Sequence, residues 1–151
     1  MKEGVKILLV DDELMLRDTV QRLLEFCGHE VETAANGEAA LALLAEHSYD
    51  IVITDFSMPG MQGDQLAARI RQQWPRQAII MATAFVEEYR VFGDNPRLVD
   101  ALLFKPFTLK DLRDTIELVL LNPPPASGGM IAPDVESLPS PHPEPPPKPP
   151  L

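Results

Sequence analysis

The sequence predicts an α/β fold in which five parallel strands form one sheet with helices on both faces. Short apolar runs rich in β-branched residues recur along the chain, and segments with apolar residues at helical spacing separate them. Each run ends at a polar residue or at a turn. The 151 residues give enough chain for one domain of ordinary size with a buried core.

The strands are predicted from apolar runs that suit a sheet buried on both faces. The third run is rich in Ile and Val and ends directly before Asp55, where a turn containing Pro and Gly begins. The predicted strands are Val5–Val10, His29–Ala34, Tyr49–Thr54, Gln77–Ala82 and Val99–Phe104.

The helices are predicted from apolar residues three and four positions apart. Asn36 and Thr108 are suitable N-caps, and Thr108 forms a capping-box pair with Asp111, whereas Gly28 and Pro75 are typical residues at which helices end. The predicted helices lie between Leu16 and Cys27, along Gly37–His47, along Gln65–Trp74, along Phe85–Phe92 and from Leu109 to Leu120.

Composition narrows the class of protein. The 23 acidic residues outnumber the 13 basic ones, and no basic stripe is visible, so we expect no direct contact with nucleic acid. No apolar run approaches the roughly 20 residues of a membrane span, and the first ten residues do not resemble a secretory signal. Cys27 is the single cysteine, so a reducing, cytoplasmic location is expected.

The last 30 residues differ in kind from the rest of the chain. Twelve of the 16 prolines lie in residues 122–151. Such a composition does not build a core and favours polyproline II or disorder. We therefore predict a folded domain over residues 4–121, followed by a proline-rich linker or disordered tail over 122–151, which also has the PxxP character of a docking segment.

Polar residues follow the predicted strands at one edge of the sheet. Parallel strands share a carboxyl edge, so Asp11, Asp12, Asp55, Thr83 and Lys105 are expected to lie there together. Three carboxylates repel one another and therefore require a cation. Oxygen ligands suit Mg²⁺, and the lysine and the threonine hydroxyl complete a pocket for a phosphoryl group. Asp55 is alone on its strand, which suits a carboxylate nucleophile.

Four short motifs carry a family resemblance. They are Val10–Glu13, Thr54–Gly63, Thr83-Ala84 and Lys105–Phe107, and each follows or ends a predicted strand. Together they resemble the receiver domain of two-component response regulators over about residues 4–121. The resemblance implies the flavodoxin-like strand order 2-1-3-4-5. It also implies a cytoplasmic signalling protein that is not an enzyme beyond slow self-phosphorylation and autodephosphorylation.

The resemblance further assigns a role to each site residue. Asp55 would accept a phosphoryl group from a phosphohistidine of a sensor histidine kinase or a histidine phosphotransfer protein. Lys105, preceding a cis Pro106, would pair with the phosphoryl group, and Thr83 would hydrogen-bond it. The implied Mg²⁺ ligands are Asp12 directly, Asp11 through water, Asp55, and the main-chain carbonyl of Ser57.

Two departures from the family pattern concern the signalling face. Many receivers carry an aromatic residue three positions before the lysine, but here that residue is Leu102, and we do not expect Phe104 to substitute for it. The fourth predicted helix is cut short at residues 93–96. The face formed by this helix, the fifth strand and the last helix is also the expected surface of a homodimer.

Two alternative functions belong to other classes. A phosphohydrolase of the haloacid-dehalogenase kind would also use a strand-end Asp, but it would require an acidic residue where this chain has Ser57. A phosphate-independent interaction scaffold would keep the fold without the chemistry. Turnover of a small phosphoester would indicate the hydrolase, whereas failure to bind Mg²⁺ or a phosphoryl mimic would indicate the scaffold.

Overall fold

The computed structural model describes residues 4–84 and 98–122, which form an α/β domain. Its five strands form one parallel sheet in the order β2-β1-β3-β4-β5, which confirms the predicted topology. The strands are β1 Lys6–Val10, β2 Glu30–Ala34, β3 Ile51–Asp55, β4 Ala78–Thr83 and β5 Ala101–Phe104. The helices in the described residues are α1 Leu14–Phe26, α2 Gly37–Glu46, α3 Gly63–Gln73 and α4 Leu109–Leu121.

The central strand β3 is buried along its whole length, as its continuous apolar run predicts. It pairs with β1 on one side and β4 on the other, so that Ile53 lies between Leu9 and Ile80. Because every strand points the same way, all five carboxyl ends meet at one edge of the sheet.

Alternating side chains of the strands divide the core into two clusters, one on each face of the sheet. Leu8 and Val10 lie in the cluster that includes residues of α2 and α3, whereas Ile7 and Leu9 lie in the cluster that includes residues of α1 and α4. Fully burying one aliphatic side chain of this size contributes about 1.5–3 kcal/mol. Helices therefore cover both faces, as predicted.

The predicted caps at Asn36 and Thr108 are confirmed by their hydrogen bonds, whereas α1 and α3 each begin two residues earlier than predicted. The side chain of Asn36 accepts from the backbone N–H of Ala39 at 2.7 Å. Thr108 and Asp111 form the reciprocal capping box at 3.0 and 2.9 Å. Gly28 follows α1 with φ +96°, a conformation that glycine adopts without a steric penalty.

The fifth strand is shorter than predicted and begins at Ala101. Just before it, one carboxylate oxygen of Asp100 accepts hydrogen bonds from Arg71 at 2.8 Å and from the backbone N–H of Ile79 at 2.7 Å. This arrangement holds the chain in a bend ahead of the strand.

The helix predicted over Phe85–Phe92 and the tail after Asn122 lie outside the described residues. Within 4–84 and 98–122, no helix has the length and apolar character needed to cross a membrane.

Candidate functional site

The predicted site residues all lie at the carboxyl edge of the sheet. Asp11 and Asp12 follow β1, Lys105 follows β5, and Asp55 and Thr83 are the last residues of β3 and β4. The two strands therefore extend one residue further than predicted. Asp55 pairs in register with Ala82 and Thr83 pairs with Phe104, so the sheet itself fixes where these side chains begin.

The three carboxylates form one cluster. One oxygen from each of Asp11, Asp12 and Asp55 lies within 4.8 Å of the others. Asp11 and Asp55 are only 6% and 9% exposed, while Asp12 lies at the surface. Three like charges at this separation are stabilised by a cation, and carboxylate oxygens are the ligands that Mg²⁺ prefers. The donor set therefore fits Mg²⁺.

Lys105 partly neutralises the negative charge of the acidic cluster. The Nζ atom of Lys105 lies 2.7 Å from Oδ1 of Asp55, and both side chains are largely buried. Burial raises the pKa of Asp55 above its ordinary value of 3.8, and the charges of Asp11 and Asp12 act in the same direction. The hydrogen bond and the charge of Lys105 oppose this shift without cancelling it. The carboxyl of Asp55 thus holds its proton more strongly than a solvated aspartate.

Thr83 and Ser57 differ in exposure. Thr83 is fully buried, and its carbonyl accepts a hydrogen bond from the backbone N–H of Lys105 at 2.8 Å. This bond ties the strand end that carries Thr83 to the residue that contacts Asp55. Ser57 is exposed two residues after Asp55, at the start of the loop that leads into α3. The peptide bond between Lys105 and Pro106 is cis, as the resemblance implied.

Two further residues support the site. Gly63 ends the Thr54–Gly63 motif but was given no role from the sequence, and Arg17 belongs to none of the four motifs. A Cβ added at Gly63 would lie 2.3 Å from the carbonyl oxygen of Asp55, so α3 approaches the end of β3 as closely as it does only because residue 63 is glycine. Arg17 donates a hydrogen bond of 2.7 Å to the carbonyl oxygen of Asp11 and so holds the loop that carries two of the carboxylates. Both roles depend on contacts in the folded chain, so the motif that contains Gly63 does not reveal its close approach to Asp55, and no motif contains Arg17.

The family model described as the response regulator receiver domain matches residues 7–117. The chain belongs to this family. Receiver domains are signalling domains of two-component systems, so the match favours the receiver over the phosphohydrolase alternative.

Relatives of this receiver include both short and long proteins. The response regulator FleR of Pseudomonas aeruginosa is 35% identical over 75% of this chain, which spans 24% of FleR. The chemotaxis protein CheY-3 of Vibrio cholerae is 31% identical over 79% of this chain and 94% of its own length. The response regulator TrrA from Thermotoga maritima is 32% identical in sequence to this chain. Its crystal structure in complex with Mg²⁺-BeF matches with a TM-score of 0.68, and the match covers 76% of this chain and 97% of the TrrA chain.

The departure at Leu102 is visible in this receiver. Leu102 is half-buried and packs against the core cluster on the α2 and α3 face, while Leu103 belongs to the opposite cluster. Phe104 lies two residues after Leu102, which places it on the same face of β5, and it is 50% exposed. Its register partner is Thr83. We expected that Phe104 does not substitute for the missing aromatic residue. Because Phe104 lies on the same face of β5 as Leu102 and pairs with Thr83, the strand register does not support that expectation.

Proposed function

We propose that this receiver accepts a phosphoryl group on Asp55 from a phosphohistidine of a sensor histidine kinase or a histidine phosphotransfer protein. One carboxylate oxygen would form a bond to phosphorus while the bond between phosphorus and the imidazole nitrogen breaks, leaving the electron pair on that nitrogen. The observation that carries the proposal is the buried Asp55 carboxylate at the end of the central strand, in contact with Lys105 and clustered with Asp11 and Asp12.

The acidic cluster supports a Mg²⁺ requirement. Asp11, Asp12, Asp55 and the main-chain carbonyl of Ser57 would hold the ion, Asp12 directly and Asp11 through water. The structure of the related TrrA was determined with Mg²⁺-BeF. Bound Mg²⁺ supplies positive charge next to the transferring phosphoryl group.

Lys105 and Thr83 would hold the phosphorylated state. Before transfer, the ammonium group of Lys105 favours the ionised form of Asp55, which is the nucleophile. After transfer, the same group would pair with a phosphoryl oxygen, and the Thr83 hydroxyl would donate a second hydrogen bond. Because Thr83 pairs with Phe104 on β5, its movement would reach a half-exposed aromatic side chain. A shift at Phe104 would change the signalling face.

The phosphoryl donor would contact an apolar patch next to the site. Leu14 and Met15 begin α1 directly after the acidic loop and are 67% and 81% exposed. Exposed apolar side chains beside a reactive group are typical of a protein-binding surface. A histidine on a helical donor would therefore approach Asp55 across the start of α1.

The remaining proposals concern the domain boundaries, the cellular location and the oligomeric state. We place the receiver at residues 4–121 and the proline-rich linker or tail at 122–151, with the protein in the cytoplasm. A homodimer would use the face that contains β5 and α4 together with residues 85–97, which lie outside the described residues. Leu118 and Leu121 are exposed on α4 and would add apolar area near this face.

The test is direct phosphorylation by a small phosphodonor. The purified chain is incubated with acetyl phosphate and Mg²⁺, its intact mass is measured, and the modified residue is mapped. We expect one added phosphoryl group on Asp55, none without Mg²⁺, and none in the Asp55→Asn variant. Asp114→Asn makes the same change on α4, away from the site, and should label normally. Undiminished labelling of Asp55→Asn would remove the proposal, and turnover of phosphoesters would support the hydrolase instead.

A further inference from the structure

A second concave site lies at the opposite, amino edge of the sheet. It is a groove of about 520 Å³ between the segment that leads into β3 and the segment that leads into β4. The residues that matter most for its chemistry are His47, Tyr49, Gln73, Trp74, Pro75 and Arg76. The receiver chemistry proposed above does not involve this groove.

The lining of the groove combines aromatic and polar side chains. The rings of His47 and Tyr49 meet edge to face with centroids 6.5 Å apart, and the Tyr49 ring is further held by the ammonium group of Lys6 at 5.2 Å. Trp74 is half-buried and packs against the core cluster from the end of α3, with Pro75 next to it. Because Tyr49 is buried, the aromatic surface that the groove offers is that of Trp74 and His47.

Hydrogen-bond donors border this surface. The side chains of Gln73 and Arg76 are exposed at its rim. No hydrogen bond joins the indole N–H of Trp74 to another residue in the described part of the chain. A polyproline II segment has the complementary chemistry, because its proline rings pack on aromatic faces and its carbonyl groups have no internal hydrogen bonds.

We propose that this groove binds the proline-rich segment 139–150 of the same chain. The segment contains eight prolines and lies near the carboxyl end of the sequence, outside the described residues. Charge is complementary at one position, because Arg76 is exposed at the rim of the groove and can pair with Glu144. The docked segment would cover Trp74.

The connection is long enough for this contact. Helix α4 begins after the carboxyl end of β5 and runs back along the sheet, so its last residue lies towards the amino edge, where the groove also lies. Residues 123–138 then link α4 to the proposed segment. A flexible chain of this length spans about 20–24 Å on average, comparable to the size of the domain. Pro123–Pro125 follow Asn122 without such a linker, and α4 packs on the face of the sheet opposite to the cluster that Trp74 contacts, so this first proline run serves as the control.

The sequence supplies both the probe and the matched control. Trp74 is the only tryptophan of the chain, so its fluorescence reports on the groove alone. Three consecutive prolines occur twice, at 145–147 inside the proposed segment and at 123–125 outside it. Replacing each run by serines in the full chain makes the same chemical change at two places. Thermal unfolding of both variants verifies that the domain remains folded.

The experiment measures acrylamide quenching of Trp74 in the three full chains. We expect the quenching constant to rise roughly twofold with P145S/P146S/P147S and to stay unchanged with P123S/P124S/P125S, because a docked proline segment shields the indole. A synthetic peptide of residues 139–151, added to the first variant, should restore the protection. Arg76→Ala should weaken that peptide's effect, and Arg113→Ala on α4 should not.

Two results would overturn the proposal. Equal quenching in all three chains, with no effect of the peptide, would show that the groove does not bind the segment. Protection that disappears on dilution would assign the occupant to a second copy of the chain rather than to the same one. Because the readout is independent of Asp55, a failure of the proposed phosphorylation would leave this result unaffected.

Discussion

The two edges of the sheet use the same charged residue types in opposite ways. At the carboxyl edge, Asp11, Asp12 and Asp55 share one contacting lysine among the described residues, and burial keeps the pKa of Asp55 above its usual range. At the amino edge, Arg71 and Asp100 form an ion pair of 2.8 Å. The carboxyl edge has an excess of negative charge, whereas the amino edge contains a paired cation and anion.

The amino edge shows what a structural ion pair requires. Arg71 donates to the carbonyl oxygens of Leu98, Pro75 and Gln77 as well as to Asp100, so its guanidinium joins the end of α3 to the beginnings of β4 and β5. Asp100 also accepts from the backbone of Ile79. Every such contact offsets part of the cost of removing the charges from water.

Proximity of charges does not by itself indicate a binding site. The acidic cluster suits a cation because, among the described residues, one lysine contacts its three carboxylates, whereas Arg71 is paired with Asp100 and with backbone carbonyls. The comparison can be tested by making equivalent changes at the two edges.

The largest effect is expected at Lys105. Replacing it by glutamine removes the charge that lowers the pKa of Asp55, and it also removes a donor to the phosphoryl group. A hydrogen bond to a charged group is worth about 1.5–3 kcal/mol, so the rate of phosphorylation by acetyl phosphate should fall roughly 10- to 100-fold. The matched change Lys6→Gln at the amino edge should leave that rate unchanged. A comparable loss in Lys6→Gln would contradict the separation of the two edges.

The next largest effect is expected from substituting two glycines at which an added Cβ atom would clash equally closely with a backbone carbonyl. An added Cβ meets a carbonyl oxygen at 2.3 Å both at Gly63, beside Asp55, and at Gly4, beside Gly28. Gly63→Ala should reduce the free energy of unfolding by about 1–3 kcal/mol through overpacking and should slow phosphorylation. Gly4→Ala should cost less, because Gly4 is exposed before β1 and its backbone can shift, and it should leave phosphorylation intact. Equal rates of phosphorylation in the two variants would show that Gly63 does not position Asp55.

A single substitution made at both edges separates structural from functional carboxylates. Asp100→Asn should destabilise the protein by about 2 kcal/mol, because Arg71 loses its ionic partner in a largely buried place. Asp12→Asn should leave the thermal midpoint of the metal-free protein unchanged or raise it, because it relieves repulsion, and should abolish Mg²⁺ affinity. A fall of several degrees for Asp12→Asn with Mg²⁺ binding retained would show that Asp12 is structural.

The smallest effect is a pH dependence of stability. Since the pKa of Asp55 is raised in the folded protein, ionising this group as the pH rises above 3.8 favours unfolding. Stability from this source is complete below that pH and is lost as the pH passes the folded-state value. Asp55→Asn should therefore be more stable than the parent chain at neutral pH without Mg²⁺, and the difference should vanish near pH 3.8. Chemical denaturation across this range measures both curves, and a difference that grows on acidification would have the wrong sign.

The sequence alone predicts the architecture and which side chains lie at the carboxyl edge of the sheet. The alternation of apolar runs and helical spacing predicted the five strands, and the resemblance predicted their order. Because parallel strands share a carboxyl edge, their order along the chain predicts that Asp11, Asp12, Asp55, Thr83 and Lys105 lie together. These inferences succeeded because they depend on local patterns and on the direction of the chain.

The charge balance, the packing and the loop contacts of the site depend on the tertiary structure. The raised pKa of Asp55 depends on burial, the tight packing of Gly63 depends on where α3 crosses β3, and the contact of Arg17 with the Asp11 carbonyl depends on the shape of one loop. The early bend at Asp100 likewise depends on Arg71, which is 29 residues away in the chain. Each of these properties arises where separate segments of the chain meet in the fold. Its energy depends on interatomic distances and on the exclusion of solvent, which a local sequence pattern does not specify.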